Sequence, residues 1–228
     1  MAAQHGDRDL DGVLFDVDGT LVDTTYLHAV TWWEALRQAD HTVPMARVHH
    51  AIGMGSDRIL EALLGPERDP AADAELAAAH SALYSVYWER LCPLPGATDL
   101  LRACAARGLR VVLASSANAA ELRALRRALD ADDVIDVATG AADADESKPA
   151  PDILGVALDR AGLPAERVIL VGDSAWDVQA ATRISVPCIG LTCGGTSAEE
   201  LTRAGAVAIF TDPADLLARW DESPLKGS

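Results

Sequence analysis

Apolar positions in this chain follow two regimes. Val13-Leu14-Phe15 is a short unbroken apolar run with no solvent face, which predicts a buried parallel strand. Further apolar runs at 109–114, 134–138, 167–171, 186–191 and 206–210 predict five more strands. Helical spacing predicts helices over 98–107, 121–129, 152–161, 175–183, 198–204 and 215–220. Strands alternating with helices specify a parallel sheet covered on both faces. Between the first strand and this alternating region, from Asp23 to Leu91, the spacing is only helical. Tyr26, Ala29, Val30, Trp33 and Leu36 form one stripe, with His28 and Trp32 on another face. Pro44 is placed to open a second helix, and Ser56 or Asp57 to cap a third that carries Ile59, Leu60, Leu63 and Leu64. Gly65-Pro66 ends that helix, and Leu76, Leu83, Val86 and Tyr87 mark a fourth, which stops before Pro93 and Pro95. The expected fold is therefore a discontinuous α/β core, residues 1–22 and 93–228, interrupted after its first strand by a helical cap, residues 23–92. Residues 1 to 9 read as a frayed lead-in.

Composition narrows the function classes. The chain has 228 residues, half of them apolar, enough to bury a substantial core. A formal charge of −16 argues against a nucleic-acid surface, because phosphate backbones are held by clustered Lys and Arg. It leaves room for a small phosphorylated substrate, whose charge a metal ion and one or two placed cations can meet locally. Cys92, Cys104, Cys188 and Cys193 show neither a Cys-x-x-Cys pair nor zinc spacing, so a reduced, cytoplasmic setting is expected. Met1 to Asp9 lacks the basic-then-apolar order of a signal peptide, and no apolar run approaches membrane-spanning length. Of the 19 basic residues only Lys148 and Lys226 are lysine. An interior Lys in a chain that otherwise uses Arg points to a place that needs a compact ammonium.

The candidate chemistry begins where the first strand ends, in Asp16-Val17-Asp18-Gly19-Thr20. Alone, this run also fits a polar turn. Its position at the strand's carboxyl end is the ligand-binding edge of an open α/β sheet. Downstream, Ser115 and Ser116 follow the 109–114 strand, Lys148 precedes Pro149, and Gly172-Asp173 ends another strand with Asp177 beyond it. With these motifs in this order, the chain resembles the haloacid dehalogenase-like (HAD) phosphatase superfamily over nearly its whole length.

The resemblance implies a Rossmann-like parallel sheet core under an inserted α-helical cap. It also implies that Asp16 attacks phosphorus to form an aspartyl-phosphate, while Asp18 protonates the leaving oxygen and later deprotonates water. Mg²⁺ is the implied cofactor, held by Asp16, Asp173 and the backbone carbonyl of Asp18. Asp177 fits three readings: a metal ligand, a residue orienting the ligands, or a helix N-terminal acid. Ser115 is implied to donate to the phosphoryl oxygens, and Lys148 to neutralise charge shared by phosphate and Asp16. Gly19, Thr20, Ser116 and Asn118 complete the expected substrate contacts, Asn118 also being placed to cap the following helix. Because an ester's alkoxide needs a proton and a halide does not, Asp18 favours the phosphatase branch over dehalogenation.

The cap sets the alternatives. Asp23-Thr24-Thr25-Tyr26-Leu27-His28 with Trp32 looks like the corresponding segment of β-phosphoglucomutase-type and sugar-phosphatase relatives, which would bring His28 near the general acid. A helix-surface or domain-interface His fits equally. Ile52 to Arg58 resembles a cap substrate loop, with Arg58 either an anion contact or a solvated helix residue. His49, His50 and His80 are expected at the surface or at helix ends. The cap contains no Lys, unlike phosphonoacetaldehyde hydrolases, which use one as a Schiff base, and unlike β-phosphoglucomutases. The leading expectation is a Mg²⁺-dependent phosphatase for a small phosphorylated metabolite, such as a sugar phosphate or phosphoglycolate. A β-phosphoglucomutase-like phosphomutase comes second and a non-catalytic HAD-fold binding protein third. No nucleic-acid or membrane partner is expected, and the oligomeric state stays open.

Overall fold

The computed structural model describes residues 9–144 and 146–226. The expected frayed lead-in falls largely on residues 1–8 and so lies outside the described residues. Strand β1 (Gly12–Phe15) is followed by four helices, α1 (Thr25–Gln38), α2 (Met45–Ala51), α3 (Ser56–Leu64) and α4 (Asp73–Ser85). The alternating region then runs α5 (Ala97–Ala106), β2 (Arg110–Ala114), α6 (Ala119–Leu129), β3 (Val137–Thr139), α7 (Asp152–Ala161), β4 (Val168–Gly172), α8 (Ala175–Arg183), β5 (Cys188–Leu191), α9 (Ala198–Ala204), β6 (Ala208–Phe210) and α10 (Pro213–Ala218). The six strands form one parallel sheet in the order β3-β2-β1-β4-β5-β6. Among the described residues no helix is long and apolar enough to cross a membrane.

Alternation along buried strands divides the core into two layers. Val13 and Phe15 share one cluster with Val111, Leu113, Ile169 and Val171, covered by Leu100 and Leu101 of α5, Leu125 of α6 and Leu216 of α10. Leu14 turns the other way, with Val112 and Leu170, and meets Leu154 and Leu158 of α7, Val178 of α8 and Leu201 of α9. β1 is therefore central and dry on both faces. The chain leaves it toward β2 on one side and β4 on the other, so its carboxyl end lies at the sheet's topological switch point.

Helices α1 to α4 build a cluster of their own from Ala29, Trp32, Leu36, Val48, Ile59, Leu60, Leu63 and Leu76. The two connections to this helical block run side by side: Asp23 N–H donates to Cys92 O at 3.0 Å and Leu94 N–H to Leu21 O at 2.8 Å. The α1 stripe differs from its expectation. Tyr26 and Val30 are 57% and 42% exposed, whereas Thr25, His28, Thr31 and Trp32 are buried with Ala29, Ala35 and Leu36. The cause is α4, whose His80 stacks on Trp32 (ring centroids 4.2 Å apart) and whose Tyr84 stacks on His28 (4.1 Å). A periodicity count that treats His and Thr as polar misses this face. Ser56 and Asp57 lie inside α3, whose N-cap is Gly55 with no side-chain cap bond.

Candidate active site

The turn after β1 places the first carboxylates. Asp16 N–H continues the ladder to Val171 O at 3.0 Å, so the residue leaves the sheet in strand register. Gly19, at φ +82°, then reverses the chain in a conformation that suits glycine, and a Cβ there would lie 2.6 Å from an Asp173 oxygen. Thr20 is buried, and its hydroxyl lies 3.0 Å from Asp16 Oδ2 and 2.8 Å from Asp173 Oδ1, tying the two acids together. Asp173 follows β4 and Asp177 lies on the first turn of α8. Ser174 caps that helix reciprocally with Asp177, whose Oδ2 accepts from the Ser174 backbone at 3.1 Å and from its hydroxyl at 2.5 Å. Asp177 Oδ1 is thereby aimed inward, 2.7 Å from Lys148 Nζ.

Lys148 is only 1% exposed. Its ammonium donates to Asp16 Oδ1 at 2.5 Å and to Ala114 O at 3.1 Å. One cation thus stands among three buried carboxylates and contacts two of them, Asp16 and Asp177. Burial pushes Asp16 up to about 7 against the lowering pull of Lys148, and the Asp177 and Asp18 charges add to the rise. Burial, then the charges of Asp16 and Asp177, raises Asp173 well above the usual carboxylate range. Burial pulls the Lys148 ammonium down, but the carboxylates around it prevail and raise it. A divalent cation fits this excess of negative charge. Oxygens of Asp16, Asp173 and Asp177 lie within 4.8 Å of one another, and Asp177 Oδ1 is buried with no hydrogen-bond donor beyond the ammonium contact. All three are hard oxygen donors of the kind Mg²⁺ takes.

Gly194 shapes the outer side of this cluster, since a Cβ there would fall 1.5 Å from Asp173 Oδ2. Gly194→Ala is expected to displace Asp173, weaken at least tenfold the binding of any divalent cation that these carboxylates hold, and destabilise the fold by about 1–3 kcal/mol through overpacking. Calorimetric titration with Mg²⁺ alongside thermal melting checks both effects.

Asp18 turns away from this cluster. Its Oδ1 accepts from Thr24 Oγ1 at 2.9 Å and faces His28 Nε2 at 3.2 Å, while Oδ2 accepts from Ser115 Oγ at 3.3 Å. Burial raises Asp18, but His28, Thr24 and Ser115 outweigh it and hold the carboxyl below its ordinary range. The Asp18 side chain is thus outside the acid cluster and groups instead with His28 and Glu121. His28 lies at the boundary between α1 and the sheet, and the structure adds three partners that periodicity did not single out. Glu121 Oε1, from α6, is 3.4 Å from His28 Nε2; His80 Nε2 is 3.2 Å from His28 Nδ1; Tyr84 covers the ring. His80 is therefore a buried neighbour of the site, contrary to the surface expectation. His50 is exposed, and His49 Nε2 sits 3.1 Å from Gly194 O.

A small cavity of about 80 Å³ opens between the sheet edge and the helical block, lined by Asp16, Asp18, His28, Ser116 and Glu121 among others. Four expected substrate contacts stand outside this lining: Gly19 and Thr20, in the turn after β1, and Asn118 and Arg58. Asn118 is exposed and caps α6 through its side-chain oxygen, which accepts from Ala120 N at 3.0 Å and Glu121 N at 3.1 Å. Arg58 is paired with Glu146 on the loop that carries Lys148, with Asp57 and Glu61 close by. Local hydrogen bonding in one case and acidic neighbours in the other take up these side chains.

Comparison with known proteins agrees with this geometry. Residues 10–184 match the family model of haloacid dehalogenase-like hydrolases. The chain is 34% identical over 219 residues to the phosphoglycolate phosphatase of Rhodospirillum rubrum, covering 90% of this chain and 88% of the relative. It is 30% identical over 234 residues to that of Shigella boydii, covering 92% of each. The crystal structure of a hydrolase from Pseudomonas syringae superposes with a TM-score of 0.88 at 32% identity, over 92% of this chain and 98% of that one.

Proposed function

Because the chain belongs to the haloacid dehalogenase-like hydrolase family and is a phosphatase of it, we propose that it hydrolyses the phosphate monoester of a small metabolite, a sugar phosphate or a phosphoglycolate-like ester, through an aspartyl-phosphate on Asp16. The observation that carries this reading is the division of labour at the end of β1. Asp16 is held by a buried ammonium beside two more carboxylates, while Asp18, two residues on, faces the cavity from the side of His28.

In the proposed reaction a carboxylate oxygen of Asp16 attacks phosphorus as the P–O bond to the alcohol breaks. Lys148 and Thr20 orient the nucleophile and offset its charge. The leaving oxygen takes a proton from Asp18, drawn from the pair that Asp18 forms with His28. Asp18 then deprotonates water, which attacks the acyl phosphate, frees inorganic phosphate and restores Asp16. Asp16, Asp173, Asp177 and the backbone carbonyl of Asp18 would hold Mg²⁺, which when bound offsets negative charge on the phosphoryl oxygens. The helical block of residues 23–92 serves as a cap that closes over the ester and limits water.

Phosphate release from a panel of small phosphate esters, with Mg²⁺ or with EDTA, tests this reading; isomerised product without free phosphate would point instead to a mutase. Metal binding is testable without turnover. Mg²⁺ at a hundredfold excess over its Kd is expected to stabilise the protein by about 2.7 kcal/mol, roughly 5–11 °C in Tm for a chain of this size. Asp173→Asn is expected to abolish that shift.

A further inference from the structure

We infer that the cavity selects an ester whose leaving group is uncharged and hydroxylated, and that Glu121 is the residue that rejects a leaving group bearing a carboxylate. This deepens, and rests on, the phosphatase reading.

An anionic leaving group needs a cation beside the general acid, and the cavity provides none that is free. Among the described residues, neither Lys nor Arg lines it. Lys148 lies behind Asp16, engaged by Asp16, Asp177 and Ala114 O. The guanidinium of Arg58 is paired with Glu146 outside the lining. His28 is the basic group on the wall, and its Nε2 already faces two carboxylate oxygens, Asp18 at 3.2 Å and Glu121 at 3.4 Å. Its other nitrogen is taken up by His80, which burial holds neutral.

Glu121 brings a second carboxyl to this wall; burial pushes it up to about 7 against the pull of His28, so it carries its full charge only above that pH. It is buried on the first turn of α6, and its carboxylate lines the cavity alongside Asp18. Above that pH a glycolate-type carboxylate entering here would meet the carboxylates of Asp18 and Glu121 at short range in a partly desolvated space, with the one basic ring, His28, already shared between them. A hydroxyl meets the opposite situation. Glu121 is an acceptor, Ser116 supplies a hydroxyl on the same wall, and Trp32 offers an aromatic surface for C–H faces. Discrimination then comes from repulsion of the wrong leaving group as much as from contacts to the right one.

The test compares kcat/KM at pH 8 for glycerol 2-phosphate, a hexose 6-phosphate and 2-phosphoglycolate, with p-nitrophenyl phosphate as a generic ester, in wild type and Glu121→Gln with saturating Mg²⁺. In wild type the better hydroxylated ester is expected to exceed 2-phosphoglycolate at least tenfold. Glu121→Gln should lower that ratio by a factor of five or more, by raising 2-phosphoglycolate and lowering the hydroxylated ester. A smaller ratio in wild type, or a smaller change in the variant, overturns the inference while p-nitrophenyl phosphate turnover leaves the phosphatase reading standing. No turnover of any ester, p-nitrophenyl phosphate included, takes down both. A wild-type ratio below ten overturns the inference even if Glu121→Gln does not fold.

Discussion

Asp16→Asn is expected to lower phosphate release by at least about 10⁴-fold, because an amide oxygen is a poor nucleophile for phosphorus and no neighbouring carboxylate is held as Asp16 is. Asp173 shares Thr20 with it but contacts no ammonium, and Asp177 is committed to the α8 cap. The fold should survive. The substitution is isosteric: its amide oxygen can accept from Lys148, its NH2 can donate to Thr20 Oγ1, whose own proton goes to Asp173, and Lys148 keeps Asp177 and Ala114 O as partners. Burial against like charges pushes the Asp16 carboxyl up to about 7, so the metal-free native state holds this charge at a cost above that pH. Neutralising it should leave the Tm at pH 8 in EDTA unchanged or higher, while Mg²⁺ binding weakens. Residual turnover above about one part in a hundred, in a variant that melts normally, would remove Asp16 from the nucleophile's role.

The parts of this site that could be read from sequence are those fixed by strand ends. Asp16, Ser115 and Asp173 each follow a buried apolar run, and a parallel sheet brings such ends to one edge whatever lies between them. The spacing placed α7, α8 and α9 within a residue of their observed limits, since Pro151, Ser174 and Ser197 stand at their starts. The strand expected at 134–138 sits instead at Val137–Thr139. Val134 and Ile135 lie in the connection ahead of it and pack on the core from there, which gives a loop a strand's composition.

The wall opposite Asp16 was largely illegible for a different reason. Its contacts join residues 28, 80 and 121, and nothing local marks them. Glu121 reads as an ordinary acid on a helix's first turn, favourable there on dipole grounds alone. His80 reads as a polar break in an alanine-rich helix. Only the packing of α1 on α4, and the reach of Glu121 from α6 to His28, turns them into neighbours of Asp18. For Arg58 the missing information was likewise tertiary, because Glu146 lies on a distant loop.

Lys148→Met carries the largest expected effect on stability. Met matches the length of the lysine stem but leaves three buried carboxylates with no cation, and truncating one member of a buried charge cluster costs about 3–5 kcal/mol. At 2–4 °C per kcal/mol the metal-free protein should melt roughly 6–20 °C lower, and turnover should fall with it. Loss of packing in the 146–149 loop would also lower the Tm, so the single variant does not isolate charge. Asp177→Asn resolves the two. Alone it should destabilise, because Asp177 caps α8 and contacts the ammonium. Combined with Lys148→Met it removes one of the uncompensated charges, so the double variant should be at least about 1 kcal/mol more stable than Lys148→Met alone. Additive losses in that cycle would mean that Lys148 holds its loop by packing. A recovery would mean that the one interior lysine of an arginine-rich chain is kept to balance the acids on which the proposed chemistry depends.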